Sequence, residues 1–440
     1  MNNRQQTDVI IIGAGPSGSS AAALLRQKGY AVTVIEKQLF PRFSIGESLL
    51  PQCMVFLEEA GLLDTVEQHA EQYAFQFKNG AAFLCGDKRS HYDFTQKWSE
   101  GPGTTWQIRR ANFDDLLAKQ AAAYGTDIRF EHEVVAVDVE TEHPILTVKD
   151  PQGESYQIQA KFLLDASGFG RILPKFLDLE SPSDFPVRRA VFSHVADGIA
   201  DDPSFDRNKI LITVHEKDPR AWYWLIPFAD GRSSFGVVAE QSFFDDYQFD
   251  ASSAHDPAAL TALFKRILAD DPSLSQLMRN VQFDTPHRSL VGYSADVKLL
   301  AQRNFALLGN AGEFLDPVFS SGVTIALKSS SLAVPLVDRV LQGQSVDWLE
   351  EYEKPLRKGI SVFRAYVEAW YQGDFQEVVF STQQNDKIRR TIASLLAGYA
   401  WDETNPIYKN ARQRLATLAE YCREKSDLQS VLADEKDACS

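Results

Sequence analysis

Residues 8–36 decide the fold, and they read DVIIIGAGPSGSSAAALLRQKGYAVTVIE. The apolar, β-branched run at the start is typical of a buried parallel strand. Three glycines in the order GxGxxG follow that strand: Gly13, Gly15 and Gly18. A helical run comes next, and a second apolar strand ends at Glu36. This order of strand, glycine turn, helix and acidic strand end predicts a dinucleotide-binding unit.

Each residue of this motif has a physical role in such a unit. Gly13 permits the tight turn, Gly15 lets a pyrophosphate approach the backbone, and Gly18 lets the helix pack closely on the strand. The amides at the helix N-terminus then face the phosphates. Glu36 is expected to accept a hydrogen bond from a ribose hydroxyl. The alternative interpretation is an ordinary glycine turn without a ligand.

Composition narrows the class of protein. The 440 residues are 44% hydrophobic and carry 60 acidic against 45 basic side chains, a net charge of -15, which argues against a nucleic-acid binder. The cysteines are scattered without a CxxC pair: Cys53, Cys85, Cys422 and Cys439. A reducing cytoplasm is therefore the expected location, and no metal site is predicted. No secretory leader is expected, and the run Val9–Ile12 is too short to span a membrane.

Two later segments distinguish FAD from NAD. Residues 162–168 read FLLDASG and residues 305–316 read FALLGNAGEFLD, each an apolar strand followed by a glycine turn. Three such turns can surround one extended dinucleotide. A helix is predicted from about Val323, and its N-terminal dipole near Gly322 would face the electron-rich end of a flavin.

These segments resemble the flavoprotein monooxygenase superfamily that includes p-hydroxybenzoate hydroxylase. Its motif RxxFD is present as Arg110, Phe113 and Asp114. Its Gly-Asp pair at the ribityl chain is replaced here by Gly309 and Asn310, and Asn can hydrogen-bond a hydroxyl but lacks the charge.

Three further stretches narrow the resemblance to the flavin-dependent halogenases. Residues 40–51 read FPRFSIGESLLP, residues 222–227 read WYWLIP in the pattern WxWxIP, and residues 316–323 read DPVFSSGV. The resemblance implies that reduced FAD, oxygen and chloride or bromide give hypohalous acid, with a separate flavin reductase as the electron source. It implies halide contacts at Ser321 and Gly322. It implies cofactor contacts at Gly13, Gly15, Gly18, Glu36, Glu47, Ser48, Arg110, Asp165, Gly168, Gly309, Asn310, Pro317, Gly322 and Val323.

The resemblance also implies catalytic roles for three residues. Trp222 and Trp224 would lie along a barrier that keeps organic substrate away from the flavin; the alternative is that they pack as one sheet face. Lys78, in the segment FQFKNGAAF, would hold the electrophilic halogen beside the substrate; the alternative is an ordinary surface lysine near a turn.

The expected substrate is an electron-rich phenol or pyrrole. The stretch 316–323 corresponds to the halide loop of the family. Tryptophan-specific members carry a glutamate before the Ser-Thr-Gly of this loop, and Phe319 stands at that position here. Phenols and pyrroles activate their own ring carbons, and the substrate is expected to be free or bound to an acyl or peptidyl carrier protein.

The predicted fold class is α/β, with a Rossmann-like FAD-binding domain, a smaller antiparallel sheet domain on the substrate side and a helical C-terminal region. The predicted FAD-binding domain comprises residues 1–72, 104–182 and 286–348. The substrate-side sheet comprises 73–103 and 183–285, and the helical region is 349–440.

In the helical region, Phe363, Tyr366 and Trp370 share one helix face by their spacing, either as core or beside a substrate cavity. Nearby basic residues are predicted to dock an acidic carrier protein: Arg357, Lys358, Arg364, Lys387, Arg389 and Arg390. Three other functions remain open from the sequence. They are an NADPH-dependent aromatic hydroxylase, an FAD-dependent isoprenoid reductase and a non-enzymatic flavin-bearing interaction module.

Overall fold

The computed structural model describes residues 4–199, 202–382 and 384–438. The chain forms two compact units, and each is assembled from three separate segments. The first unit comprises Met1–Phe75, Ile108–Pro186 and Tyr293–Lys358. The second unit comprises Gln76–Gln107, Val187–Gly292 and Gly359–Ser440.

Strands and helices alternate along much of the described chain. The strands are β1 Gln5–Gln6, β2 Val9–Ile12, β3 Val32–Ile35, β4 Gln76–Lys78, β5 Gly80–Cys85, β6 Lys88–Asp93, β7 Thr105–Gln107, β8 Asp127–Arg129, β9 Glu133–Asp138, β10 Ile145–Lys149, β11 Ser155–Gln159, β12 Phe162–Asp165, β13 Glu180–Ser181, β14 Arg188–Ala196, β15 Lys209–Val214, β16 Trp222–Pro227, β17 Arg232–Glu240, β18 Arg288–Val291, β19 Asp296–Val297, β20 Ala301–Gln302 and β21 Phe305–Leu307. The helices are α1 Pro16–Gln27, α2 Gln52–Glu59, α3 Leu63–Gln68, α4 Arg110–Ala123, α5 Ile172–Phe176, α6 Gln241–Asp246, α7 Pro257–Ala269, α8 Pro272–Leu277, α9 Ser321–Leu341, α10 Lys354–Tyr371, α11 Asp374–Phe380, α12 Asp386–Leu396 and α13 Ala411–Ala438.

A six-stranded sheet forms the centre of the first unit, in the order β20-β21-β12-β2-β3-β8. The five strands from β21 to β8 are parallel, and β2 is buried along its whole length. In the register of the sheet, Asp165 lies opposite both Ile12 and Leu307. Because these residues end β12, β2 and β21, the three following turns emerge side by side. The predicted Rossmann-like architecture is confirmed.

Two helices of the first unit pack closely against each other. The Ser330 hydroxyl in α9 donates to the carbonyl of Ser17 in α1 at 2.8 Å. A four-stranded sheet in the order β1-β11-β10-β9 and a short pair, β13 with β19, complete this unit.

A seven-stranded, mostly antiparallel sheet forms the centre of the second unit, in the order β18-β14-β17-β16-β15-β5-β6. One of its faces, including Tyr223 and Phe235, packs in a hydrophobic core with Leu263 and Phe264 of α7. Strands β4 and β7 form a separate antiparallel ribbon.

The C-terminal helices belong to the second unit, whereas the sequence-based division gave 349–440 a region of its own. The physical reason is the apolar face of α10, whose Phe363, Tyr366 and Trp370 are all fully buried. The Trp370 ring lies 6.0 Å from the ring of Phe83 in β5, so the sheet covers part of this face.

Candidate active site

The glycine turn leaves an open space at the N-terminus of α1. Gly13 has a φ of +96°, which a residue with a side chain rarely adopts. A Cβ on Gly18 would lie 1.9 Å from the carbonyl oxygen of Gly13, so only glycine fits there. A Cβ on Gly15, in contrast, would meet Arg42 Nη2 at 3.7 Å as its one neighbour within 4 Å. The space beside Gly15 therefore suits a pyrophosphate facing the helix N-terminus.

Glu36 holds this turn in place. Its carboxylate accepts hydrogen bonds from the amides of Ala14, at 2.9 Å, and Gln38, at 2.8 Å. The side chain is buried at the end of β3. Each carboxylate oxygen has a second lone pair, so the predicted bond to a ribose hydroxyl is compatible with these contacts.

Two arginines share one buried carboxylate next to the turn. Asp114 accepts from Arg110 Nε at 2.7 Å and Nη2 at 2.9 Å, and from Arg42 Nη1 at 2.8 Å. Arg42 lies 4.5 Å from the centre of the Phe40 ring, and its Nη2 faces the space beside Gly15. Arg42 was not among the predicted contacts, although the segment FPRFSIGESLLP contains it.

The segment around Glu47 and Ser48 meets two other predicted pieces of the site. A Cβ on Gly46 would lie 3.0 Å from Arg110 Nη1 and 3.8 Å from Val323 Cγ2. The carbonyl of Glu47 accepts from the amide of Ile108 at 2.7 Å. Both Glu47 and Ser48 are buried. The structure thus brings together three predicted segments that are distant in sequence.

Asp165 stabilises its own turn. Its carboxylate accepts from the amides of Ser167 at 2.9 Å and Leu173 at 2.6 Å. Burial raises the pKa of this fully buried carboxyl, while these hydrogen bonds oppose the rise. Gly168 follows with a φ of +59° and begins a 3-10 turn. Asp165 therefore shapes the second glycine turn, and its predicted direct contact with the cofactor stays a prediction.

Asn310 offers an acceptor at the third turn. Its Oδ1 atom is buried and has no hydrogen-bond partner among the described residues. A Cβ on Gly322, in the first turn of α9, would lie 3.8 Å from that atom and 3.1 Å from the Phe314 ring. Gly309 lies so close to α9 that a Cβ would meet Ala326 Cβ at 2.9 Å.

The predicted halide loop leads directly into α9. A 3-10 turn covers Pro317–Phe319, and α9 begins at Ser321. The first amides of a helix have no partner within the helix, and the helix dipole places partial positive charge there. The loop therefore has the electrostatics that an anion requires.

In the second unit, Lys78 is fully buried. It ends β4 opposite Thr105 of β7, and its Nζ lies 5.5 Å from the centre of the Phe94 ring. The interpretation of Lys78 as an ordinary surface lysine is therefore wrong. Complete burial of a lysine is rare in proteins and requires a specific environment.

Trp222 and Trp224 lie on one face of β16, and both indole N–H groups are satisfied. Trp222 Nε1 donates to the Tyr371 hydroxyl at 2.9 Å, and Trp224 Nε1 donates to Ser234 Oγ at 3.0 Å. A Cβ on Gly236 would lie 2.3 Å from Trp224 Cζ2, so glycine is needed under this ring. The two indoles are fixed parts of the sheet face, which is compatible with a barrier.

The predicted basic residues are divided between the two units, with Arg357 and Lys358 in the first and the other four in the second. Arg357 forms ion pairs with Glu353, Asp296 and Glu313 inside the first unit. Lys387 and Arg390 lie within 5.8 and 6.0 Å of the Trp98 ring, and Arg389 donates to the His91 carbonyl at 2.5 Å. Lys387, Arg389 and Arg390 therefore gather next to the edge strand β6.

The described residues contain neither a metal-binding cluster nor a membrane-spanning helix. Among residues 4–199, 202–382 and 384–438, no cluster of His, Cys, Asp and Glu could hold a metal ion. Within the same ranges, no helix is sufficiently long and apolar to cross a bilayer. Within the described ranges, Cys53, Cys85 and Cys422 form no disulfide, and Cys439 lies outside them.

Comparison with known proteins identifies the family. Residues 6–353 match the family described as FAD binding domain. The flavin-dependent halogenase armH3 of Armillaria mellea is 30% identical over 354 residues, 78% of this chain and 69% of that relative. The chain belongs to the flavin-dependent halogenase family.

Two further relatives within this family differ in the substrate that their names give. A tryptophan 2-halogenase from Chondromyces crocatus is 30% identical over 347 residues, 77% of this chain and 62% of that enzyme. The chain therefore spans less than two thirds of this relative. A 1H-pyrrole-2-carbonyl peptidyl-carrier-protein chlorinase from Pseudomonas fluorescens is 27% identical, with 89% of both chains covered.

Solved structures agree with this family assignment. A flavoprotein/dehydrogenase from Cytophaga hutchinsonii has 37% identity and a TM-score of 0.89, covering 96% of this chain and 100% of that chain. The flavin-dependent brominase Bmp2 has 25% identity and a TM-score of 0.78, with the same coverage of 96% and 100%. The predicted α/β fold with its helical C-terminal part is confirmed.

FAD fits the residues of the first unit. The open space beside Gly15, the arginine there and the buried, unsatisfied Asn310 Oδ1 are the features that phosphates and a polyhydroxy chain require. The protein is an FAD-dependent enzyme of the oxidoreductase class, and FAD as cofactor is confirmed. Family membership does not favour the NADPH-dependent hydroxylase or the isoprenoid reductase.

Proposed function

We propose that this enzyme halogenates an electron-rich aromatic ring. Together with oxygen, bound and reduced FAD would supply the oxidising equivalents of the reaction. These convert one halide ion and one proton into hypohalous acid, and water is the second product. The ring then replaces one hydrogen by halogen, and a second water is released. The observation that carries the proposal is the complete burial of Lys78 in the unit that contains Trp222 and Trp224.

Lys78 is the proposed catalytic residue of the transfer step. An ammonium group can donate a hydrogen bond to the oxygen of hypohalous acid and polarise its bond to the halogen. The same contact holds the halogen beside a ring carbon, which gives the benefit of proximity. Burial strengthens the polarisation, because water does not screen the ammonium.

Trp222 and Trp224 are the proposed barrier to organic substrate. Their N–H groups are bound to Tyr371 and Ser234, so neither ring can turn away without losing a hydrogen bond. The proposed halide contacts are Ser321 and Gly322 at the start of α9, where helix amides attract an anion.

The proposed substrate is a phenol or a pyrrole. Phe319, buried in the halide loop, stands where tryptophan-specific members carry glutamate, and it cannot support attack on an unactivated indole. The likeness to a pyrrole-carrier chlorinase along 89% of both chains supports a carrier-bound form of this substrate. A separate flavin reductase is the proposed electron source, and the cytoplasm is the proposed location.

A pair of lysine variants tests the proposal. In Lys78→Ala we expect normal FAD content and fold but loss of halogenated product, because the cofactor residues of the first unit are untouched. Lys78→Arg should also fail, since a wide planar guanidinium cannot replace a compact ammonium. Product is measured by mass spectrometry with reductase, FAD, halide and candidate phenols and pyrroles.

Lys97→Ala is the matched control. Lys97 lies in the same unit, is 8% exposed, and donates to the Gly101 carbonyl at 2.6 Å. Its loss removes a buried lysine without touching Lys78, so product formation should persist. Undiminished halogenation by Lys78→Ala would contradict the proposed role.

A further inference from the structure

The inner face of the ribbon formed by β4 and β7 carries three buried polar side chains. Lys78 is 0% exposed, Thr105 3% and Gln107 0%. Lys78 and Thr105 are direct cross-strand partners, so their Cβ atoms are about 5 Å apart. Gln107 lies two residues further along the same face of β7, and by strand geometry its Cβ is within about 8 Å of the Cβ of Lys78. Trp106, between them, points to the opposite face, where its ring lies 6.2 Å from that of Phe77.

Two of these side chains have polar atoms without a protein partner. Thr105 Oγ1 and Gln107 Oε1 are both buried, and neither has a hydrogen-bond partner among the described residues. A buried polar atom that is left without a hydrogen-bond partner destabilises the fold. Two such atoms next to a buried lysine can form hydrogen bonds with a polar group from outside the chain.

The orientation of the Gln107 amide is fixed by the backbone. Its Nε2 donates to the Arg207 carbonyl at 2.9 Å. The opposite assignment would place an amide oxygen against that carbonyl oxygen, so Oε1 must be the free end. The ribbon therefore presents an obligate acceptor at Gln107 and a hydroxyl, able to donate or accept, at Thr105.

We propose that Thr105 and Gln107 are specificity-determining residues that recognise a ring hydroxyl of the substrate. The hydroxyl donates to Gln107 Oε1 and accepts from Thr105 Oγ1, which satisfies both atoms. A ring N–H satisfies only the acceptor, and a methyl ether satisfies only the donor. The pair therefore favours a phenol over a pyrrole and over an O-methylated ring. This inference rests on the proposed function for the identity of the bound ring, and it places the ring beside Lys78.

A binding experiment tests this inference separately from turnover. The probes are 4-fluorophenol and 4-fluoroanisole, titrated into the FAD-loaded full chain and followed by fluorine NMR. We expect the wild-type enzyme to bind the phenol about fivefold more tightly, because each neutral hydrogen bond contributes about a fivefold effect and the ether keeps only one of the two. Thr105→Val should lower the affinities for both probes about fivefold and keep the preference for the phenol, because the acceptor at Gln107 remains.

A matched threonine controls for general loss of packing. Thr391 is also 3% exposed in the same unit, but its hydroxyl donates to the Lys387 carbonyl at 2.8 Å within α12. Thr391→Val should leave the affinities for both probes unchanged. Gln107→Met, with its melting temperature measured alongside, should remove the preference for the phenol.

The possible outcomes are distinct. Equal wild-type affinities for the two probes would mean that buried water satisfies Thr105 and Gln107, and the inference would be wrong. Undiminished affinities for both probes in Thr105→Val would also overturn it. Failure of the proposed function would appear differently, as absence of any halogenated product from the wild-type enzyme while the probe preference persists.

Discussion

Gly15 and Gly18 lie three residues apart in one turn, yet the structure predicts opposite consequences for substituting them. Gly15 has φ −67° and ψ −173°, a conformation open to any residue, and its missing Cβ would have Arg42 Nη2 at 3.7 Å as its nearest neighbour. A Cβ on Gly18 would overlap the Gly13 carbonyl oxygen at 1.9 Å. Gly15→Val should therefore keep the fold and lose the cofactor, whereas Gly18→Ala should damage the fold.

The expected magnitudes follow from these contacts. A valine side chain fills the space that the pyrophosphate needs and separates it from the amides of α1. Two lost hydrogen bonds to a charged group weaken FAD binding by about 3–6 kcal/mol, or about two to four orders of magnitude. The free energy of unfolding of the apo-protein should change by less than about 1 kcal/mol. Gly18→Ala should lower that free energy by about 3 kcal/mol, because the overlap is with backbone.

The assay is the FAD content of the purified variants together with denaturant unfolding of the apo-proteins. Normal FAD content in Gly15→Val would refute the placement of the pyrophosphate. Unfolding of the Gly15→Val apo-protein would refute the inferred open space. Gly18→Ala is the matched control, since it alters the same turn by a smaller side chain.

Three other predictions concern electron supply, docking and pH. The purified enzyme should oxidise NADPH slowly and form product only when a flavin reductase supplies reduced FAD; rapid, substrate-stimulated NADPH oxidation without the reductase would support a hydroxylase. Charge reversal of Arg389 and Arg390 to glutamate should weaken turnover of an aryl group on an acyl carrier protein and spare the same aryl group as a free thioester; equal effects on both would remove the docking hypothesis. Burial, with the nearby Glu216 carboxylate, raises the pKa of Asp271 to about 6, above its ordinary 3.8. The native state thus holds this proton more tightly than the unfolded chain, and the associated stability is lost as pH rises through 6. Relative to wild type, Asp271→Asn should gain up to about 3 kcal/mol of unfolding free energy between pH 4 and pH 8 in urea titrations, whereas a pH-independent difference would contradict the raised pKa.

The glycine turn and its sheet were predictable because their determinants are local. The spacing of Gly13, Gly15 and Gly18 between two apolar runs admits few other structures, and parallel strands bring their following turns to one edge. Arg42 was missed because its relevance depends on the carboxylate of Asp114, 72 residues away in the chain. No sequence pattern near Arg42 reports that pairing.

The residues around Lys78 show a different limit. The motif identified Lys78, but the burial of this lysine depends on the pairing of its strand with Thr105. Neither hydrophobic periodicity nor composition reveals that pairing. Thr105 and Gln107 were missed for the same reason, since each is an ordinary polar residue until its missing partner is seen. The hydrogen bonds that Asp165 accepts from amides of its own turn were not predicted either, because they depend on the path of the chain after β12.

The order of strands in the six-stranded sheet has a consequence for biosynthesis. One of its two central strands, β12, is flanked by β2 from the beginning of the chain and by β21, which ends at Leu307. At a translation rate of about 5–20 residues per second, β12 waits roughly 7–30 seconds for this last neighbour. Throughout that interval an apolar strand presents unpaired backbone groups at an open edge. The nascent protein should therefore be most prone to aggregation, and most dependent on ribosome-associated chaperones, in the interval before residue 307 leaves the ribosome.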